Sequence, residues 1–284
     1  MTIKTIAAAV ALAAASAGAL AEPTRVEAVQ YPAWLERGGN AVPLTPGTTL
    51  ISSDRIRTGA NARVQVRLGE GSTVKLGENA RLVIEKIEDR GIFRSALQIL
   101  DGAFRFTTDA LRKSQKREVA IKVKNVTAGI RGTDLWGKST SERDLVCLLE
   151  GKISVGAEGH PTVTLDTPLD FYQKPRDGAP AVAKVDAKQI EQWAQETEIQ
   201  KDAAAARAGG EWRVVAGTSE SRDAALGLSR RLRANGYPSE IREKDGRFAV
   251  TVGGLAGEAE ARALMTNLRN VSGVRMPSVE RDAR

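Results

Sequence analysis

The chain has 284 residues, with 42 Lys and Arg against 35 Asp and Glu, 42% hydrophobic residues and 4% aromatic ones. That is the composition of a globular chain with aliphatic cores, and the length suits about two domains at ~100–200 residues each. One Cys, Cys147, excludes an intrachain disulfide and any multi-Cys zinc or iron–sulfur site, and one His, His160 beside Pro161, excludes a His-rich metal centre and argues against a Ser-His-Asp triad.

At the N-terminus, Lys4 precedes an apolar run from Ile6 to Ala21 that ends Ala19-Leu20-Ala21 and is followed by Glu22-Pro23. A basic start, an apolar stretch and a small-x-small site predict a signal peptide over residues 1–21, cleaved after Ala21. The run is Ala-rich and shorter than the ~20 residues a bilayer span needs. No later run is long enough to span. The expectation is a soluble periplasmic chain whose charge, without Lys4, is +6 from 41 cations and 35 anions.

From residue 22 to about 180 the pattern is strand-like. Val64, Val66 and Leu68 alternate with Arg63, Gln65 and Arg67; Val74 and Leu76, Leu82 and Ile84, Phe104 and Phe106, and Val119, Ile121 and Val123 follow. Period-2 alternation buries one face and wets the other. Glycine punctuation between the runs indicates an all-β domain, solenoid-like or sandwich-like. Arg63, Arg67 and Lys75 read as a solvated sheet face, with a basic binding surface for an acidic polymer as the alternative, and Cys147 in Val146-Cys147-Leu148 reads as a buried small hydrophobe.

Residues 181–210 read as a helical, flexible linker. Pro175, Gly178 and Pro180 break the strand pattern, and Ala187 to Ala208 carries Ile190, Trp193 and Ala194 on one helical stripe. It reads as a solvated spacer, with packing of Trp193 onto the β domain as the alternative.

Residues 211–284 hold an internal repeat. Val214, Ala216, Gly217, Ala225, Leu228 and Leu232 recur as Val250, Val252, Gly253, Ala261, Leu264 and Leu268, every pair offset by 36. Each half is a strand, a Gly turn and a helix with an apolar stripe, and Gly236 stands where a helix C′ glycine belongs. With a strand after each helix the sum is βαββαβ, an α+β ferredoxin-like arrangement of four strands with two helices on one face. Alternation then leaves Arg213, Val215, Thr218, Arg242, Arg247, Ala249 and Thr251 as candidates on the open face. Its third strand carries no outward aromatic ring for base stacking, so nucleic acid is not an expected partner.

Two stretches resemble known families. Gly47-x-x-Leu50, Asp54-Arg55-Ile56-Arg57-Thr58-Gly59, Gly71-Ser72-Thr73-Val74-Lys75-Leu76, Leu100-Asp101-Gly102-Ala103-Phe104, Ile130-Arg131-Gly132-Thr133-Asp134 and Leu149-Glu150-Gly151-Lys152 follow the order and spacing of the FecR family. The resemblance implies protein contacts and signal relay rather than catalysis. Within it Arg131, Gly132 and Thr133 read as fold determinants, Gly132 permitting a turn and Arg131 tying it to Asp134 or Asp54; a direct contact site is the alternative. Trp212-Arg213-Val214-Val215-Ala216-Gly217, Ala225-x-x-Leu228-x-x-x-Leu232 and Phe248-Ala249-Val250-Thr251-Val252-Gly253 resemble the SPOR domain of bacterial envelope proteins. That resemblance implies binding to peptidoglycan glycan strands stripped of stem peptides, as at division septa. The chain departs from the family at Val215, where Gln is common, at Ala249, where Arg is common, and at Gly254, where Pro follows the second Gly.

The expected function is therefore that of a non-enzymatic envelope protein. Its C-terminal module binds denuded glycan, and its β domain contacts another envelope protein. Nothing in the pattern calls for a cofactor or metal. A protein-binding scaffold with little glycan affinity is the second expectation. A wall hydrolase built on Asp54, Glu70 or Asp134 is the third, and those carboxylates occur in turns, where local hydrogen bonding accounts for them.

Overall fold

The computed structural model describes residues 22–89, 92–108, 117–130 and 132–282. The signal peptide expected at residues 1–21 and Arg131 lie outside the described residues. The chain is mostly β-sheet, with three short helices among the described residues.

The N-terminal unit opens with β1 (Arg25–Gln30), β2 (Ala33–Arg37), β3 (Asn40–Pro43), β4 (Arg55–Thr58), β5 (Arg63–Arg67), β6 (Thr73–Leu76), β7 (Arg81–Asp89) and β8 (Phe93–Thr107). It continues with β9 (Arg117–Val123), β10 (Val126–Ile130), β11 (Asp134–Ser139), β12 (Arg143–Glu150), β13 (Ile153–Ala157), β14 (Val163–Leu165), β15 (Asp170–Pro175) and β16 (Ala181–Lys184). Two sheets share β8. Its first half pairs antiparallel with β7 and parallel with β9, within the order β3-β2-β4-β7-β8-β9-β10-β13-β14. Its second half lies between β6 and β11, within the order β16-β15-β12-β11-β8-β6-β5-β1.

The strand changes sheets at Asp101-Gly102. Gly102 has φ +82°, and a Cβ there would lie 2.5 Å from the Ala80 Cα, so the corner requires a residue without a side chain. Both inner faces feed one apolar cluster. Ile56, Leu82, Ile84, Leu97 and Ile121 come from the first sheet, and Val64, Val66, Leu76, Phe104 and Phe106 from the second.

The rest of the chain comprises α1 (Ala187–Gln195), β17 (Ala205–Arg207), β18 (Trp212–Ser219), α2 (Arg222–Ala234), β19 (Ser239–Lys244), β20 (Arg247–Leu255), α3 (Glu258–Leu268) and β21 (Ser278–Arg281). The helix expected over Ala187–Ala208 is therefore shorter than its alanines suggest. It starts at Asp186, whose carboxylate accepts the Lys188 N–H at 2.8 Å, and ends at Gln195. The alanines beyond it are claimed by a sheet: β17 pairs antiparallel with β1, and Ala206 also meets Leu255 of β20. Ala204, Ala205 and Ala206 are buried there. Tertiary pairing outweighs a helix preference of a few tenths of a kcal/mol per residue.

The C-terminal strands run in the order β21-β18-β20-β19, every neighbour antiparallel. α2 and α3 bury Ala225, Leu228, Leu232, Ala261, Leu264 and Leu268, in one cluster with Val214, Ala216, Val250 and Val252. The residues related by the 36-residue offset are thus the core of this unit. It also meets the N-terminal unit beyond β17. Trp34 Nε1 donates to the Ala234 carbonyl at 3.3 Å, and Tyr31 meets Tyr237 edge to face at 6.3 Å. Gly236 ends α2 at φ +80°, and a Cβ there would lie 2.8 Å from the Trp34 ring. No helix among the described residues is long and apolar enough to cross a membrane.

Candidate functional site

The register of the C-terminal sheet brings the candidate residues together. Val215 lies opposite Thr251 and Ser278, Ala249 opposite both Thr218 and Arg242, Arg247 opposite Lys244, and Arg213 opposite Glu280. The opposite face carries Val214, Val250 and Val252 against the helices. Arg213, Val215, Thr218, Arg242, Arg247, Ala249 and Thr251 therefore share the face that the helices leave uncovered.

That face has a floor and a rim. Val215 and Thr251 are buried at the centre among taller neighbours, Ala249 is half-buried, and Thr218, Arg242 and Arg247 are exposed. On one side of the floor Arg213 donates through Nε to Glu280 at 3.2 Å and through a terminal nitrogen to Asp282. Arg242 reaches the same Asp282 oxygen at 3.3 Å and Glu240 at 3.6 Å. Two of the three arginines thus stand in an ion-pair network, which fixes their donors in place. Sequence reasoning did not find Glu280 or Asp282. The usable signal is the antiparallel register of the last strand, which sets Glu280 across from Arg213.

In the N-terminal unit, Gly132 sits at φ +69°, in the left-handed region that the expected turn requires. Thr133 is buried, and its Oγ1 donates to the Lys152 carbonyl at 3.1 Å while its N–H donates to Thr108 Oγ1 at 3.0 Å. A Cβ on Gly151 would lie 2.4 Å from the Gly132 carbonyl oxygen, so the two turns fit against each other. The carboxylates named as partners for Arg131 have other arginines. Arg105 holds Asp134 through Nε and a terminal nitrogen at 3.0 and 2.6 Å. Arg37 holds Asp54 at 2.7 and 2.6 Å, and the Ile51 N–H adds a bond at 2.8 Å.

The Arg63, Arg67 and Lys75 stripe is not a solvated face, contrary to expectation. Arg63 is buried, Arg67 donates to Glu27 at 2.9 Å, and Lys75 donates to Glu198 of the linker at 2.6 Å. Acidic residues more than a hundred positions away in sequence lie over part of it. Trp193 likewise packs onto the β domain, its ring 4.4 Å from that of Trp136.

Of the three carboxylates considered for hydrolysis, Asp54 and Asp134 are arginine-paired, and Glu70 is buried beside Ser72 with no arginine bound to it by a hydrogen bond. Burial pushes the Glu70 carboxyl above the usual carboxylate range. Cys147 is buried, and that burial, with Asp170 nearby, pushes its thiol up to about 12. Among the described residues no group of three or more His, Cys, Asp or Glu could hold a metal ion.

Comparison with known proteins gives two family matches: residues 54–154 match the FecR protein family and residues 208–276 match the SPOR domain. No curated protein matches the chain. Two crystal structures of a proposed anti-sigma factor from Parabacteroides distasonis ATCC 8503, at 1.65 and 2.50 Å, are similar at 13% identity and a TM-score of 0.42 each. The matches cover 69% and 81% of this chain and 97% and 98% of those chains. At that score the likeness carries nothing about this chain. The family matches do: the chain carries a FecR domain at residues 54–154 followed by a C-terminal SPOR domain at residues 208–276.

Proposed function

We propose that this is a non-enzymatic, exported cell-envelope protein that holds denuded peptidoglycan glycan strands on the uncovered face of its C-terminal sheet, while the FecR-type unit engages another envelope protein. Export follows from the signal peptide expected at residues 1–21, with cleavage after Ala21, and gives a periplasmic location. We read the C-terminal unit as the ferredoxin-like βαββαβ arrangement, supported by its β21-β18-β20-β19 order. We read the N-terminal unit as a sandwich rather than a solenoid, supported by a single core between two sheets that share β8.

What carries the glycan reading is one observation: seven residues of a SPOR-matching segment share a shallow face with a small-residue floor and an arginine rim. An extended sugar polymer can lie along such a floor. Fixed guanidinium donors then meet sugar hydroxyls, acetamide carbonyls and lactyl carboxylates. A septal location is the corresponding expectation in the cell. The test is co-sedimentation of the full chain with amidase-treated sacculi, where pelleting above that of a control protein is expected and pelleting no greater than the control overturns the reading.

A second reading has its own observation. Arg213 and Arg242 already share Asp282, which places negative charge at the rim. That favours a scaffold with little glycan affinity, whose main partner is a protein. Uniform periplasmic fluorescence of the tagged chain, with sacculus binding absent, is its expected signature.

A further inference from the structure

The linker lies across the outer face of the second sheet as a strap. Beneath it one cross-strand row runs Lys75, Arg105, Trp136, Cys147, Phe171 through five adjacent strands. The strap answers this row in kind. Trp193 stacks on Trp136 and meets Phe171 edge to face. Glu198 takes Lys75 at 2.6 Å and Arg105 at 3.4 Å, and Glu196 takes Lys138 at 2.7 Å. An aromatic ring, followed three and five residues later by carboxylates, matches an aromatic floor beside a group of cations.

The cover is incomplete. Arg63, 6% exposed, has an Nε without an acceptor, and Trp136 Nε1 has none either. A buried donor left unpaired forfeits the bonds it made with water. Cavities of about 510 and 410 Å³ flank the strap. Arg63, Lys138 and Glu196 line the first, and Trp136, Phe171 and Trp193 the second. α1 itself contributes no fully buried residue. With the strap lifted, Lys75 and Lys138 lose these counter-ions and Arg105 keeps Asp134, so the bare face is cationic beside its aromatic floor.

Resting on the protein-interaction reading of the N-terminal unit, the geometry points to a docking face for an acidic peptide segment of a partner protein, bearing an aromatic residue a few positions before its carboxylates, which this chain's own linker occupies in cis. Charge complementarity selects that occupant. A segment that also brings acceptors to Arg63 and Trp136 satisfies donors the strap leaves empty, and so displaces it. Displacement loosens the linker that leads into β17, and with it the tie between the two units.

The probe is a synthetic peptide of residues 186–200, blocked at both ends and fluorescently labelled, titrated into the full chain and followed by anisotropy. The native strap competes at the high effective concentration of a tethered segment, so binding to the native chain is weak. Glu196→Gln with Glu198→Gln loosens the strap and keeps Trp193, and the peptide is expected to bind that variant about tenfold tighter or more. Adding Lys75→Ala and Arg105→Ala removes the gain. A cooperative thermal melt checks each variant's fold, with Trp193→Ala as a second loosened strap. Equally weak binding to the native chain and to both folded strap variants overturns the docking face. The broader reading is measured separately: an envelope protein cross-linked equally by the native chain and by the Lys75→Ala, Arg105→Ala variant leaves protein interaction standing and overturns this face.

Discussion

Trp193 of the linker lies flat on Trp136 of β11, with ring centroids 4.4 Å apart and planes 11° from parallel. The pair joins a helix with no fully buried residue to the outside of a sheet, so the stack carries much of the linker's apolar attachment. Trp193→Ala is expected to lower stability by about 1–3 kcal/mol, from the lost ring contact and the apolar area exposed. The urea midpoint should fall, with a red shift of the remaining tryptophan emission. An unchanged midpoint would show that the linker is held by Ile190 and by the Glu196 and Glu198 ion pairs rather than by the stack.

Gly236 combines a left-handed backbone with a near neighbour, the Trp34 ring, in the other unit. Gly236→Ala is expected to cost about 2 kcal/mol: roughly 1–2 from the backbone region, with displacement of Trp34 added. Limited proteolysis should then cut at the 207–211 segment sooner than in the native chain. Equal cleavage rates would mean that the contact around Gly236 does not hold the units together.

The thiol of Cys147 stands at about 12, because burial and the neighbouring Asp170 both oppose the thiolate. Its folded value lies above the unfolded value of about 8.5. The stability it contributes is therefore complete below about pH 8.5 and is lost as pH rises towards 12. A disulfide reagent at pH 8 should leave the native chain unlabelled and label the urea-unfolded chain fully. Labelling of the native chain at the unfolded rate would show that the strand is open.

Glu70 is an acid whose folded value is raised by burial, so the folded state holds its proton more tightly than the unfolded one. Its stabilising effect is complete below about pH 4.3 and is lost as pH rises through the raised value. Glu70→Gln should then stabilise the chain at pH 7 and have little effect at pH 4. Melts at the two pH values test the sign, and a destabilisation at pH 7 would reveal that the carboxylate has a partner there.

On the uncovered C-terminal face, Ala249 lies between Thr218 and Arg242. Ala249→Arg adds a guanidinium at the edge of the floor, where one charge-assisted hydrogen bond is worth about tenfold in affinity. Pelleting with amidase-treated sacculi should rise accordingly. No rise, in a variant that melts like the native chain, would place the glycan elsewhere.

Sequence patterning was most informative where one chain segment decides its own fate. The offset of 36 pairs Val214 with Val250 and Leu232 with Leu268, and all four side chains are buried, because each half-repeat packs on a core it helps to make. It was least informative where a distant strand decides. Ala205 and Ala206 end a run of four alanines with strong helix preference, yet β1 and β20 take them into a sheet. Arg63 and Lys75 alternate like solvent-facing residues, and no local pattern announces that Glu196 and Glu198 will cross over them. The candidate face was legible as alternation. Its ion pairs were not, because they depend on how the last strand registers against the first.

The three residues of β17 stitch one module's fabric to the other's, since Ala206 has a strand neighbour in each. Under the proposed function, a pull between wall and partner therefore meets no slack tether. It meets this short seam together with the Trp34–Ala234 and Tyr31–Tyr237 contacts, and all of these must part before the linker pays out.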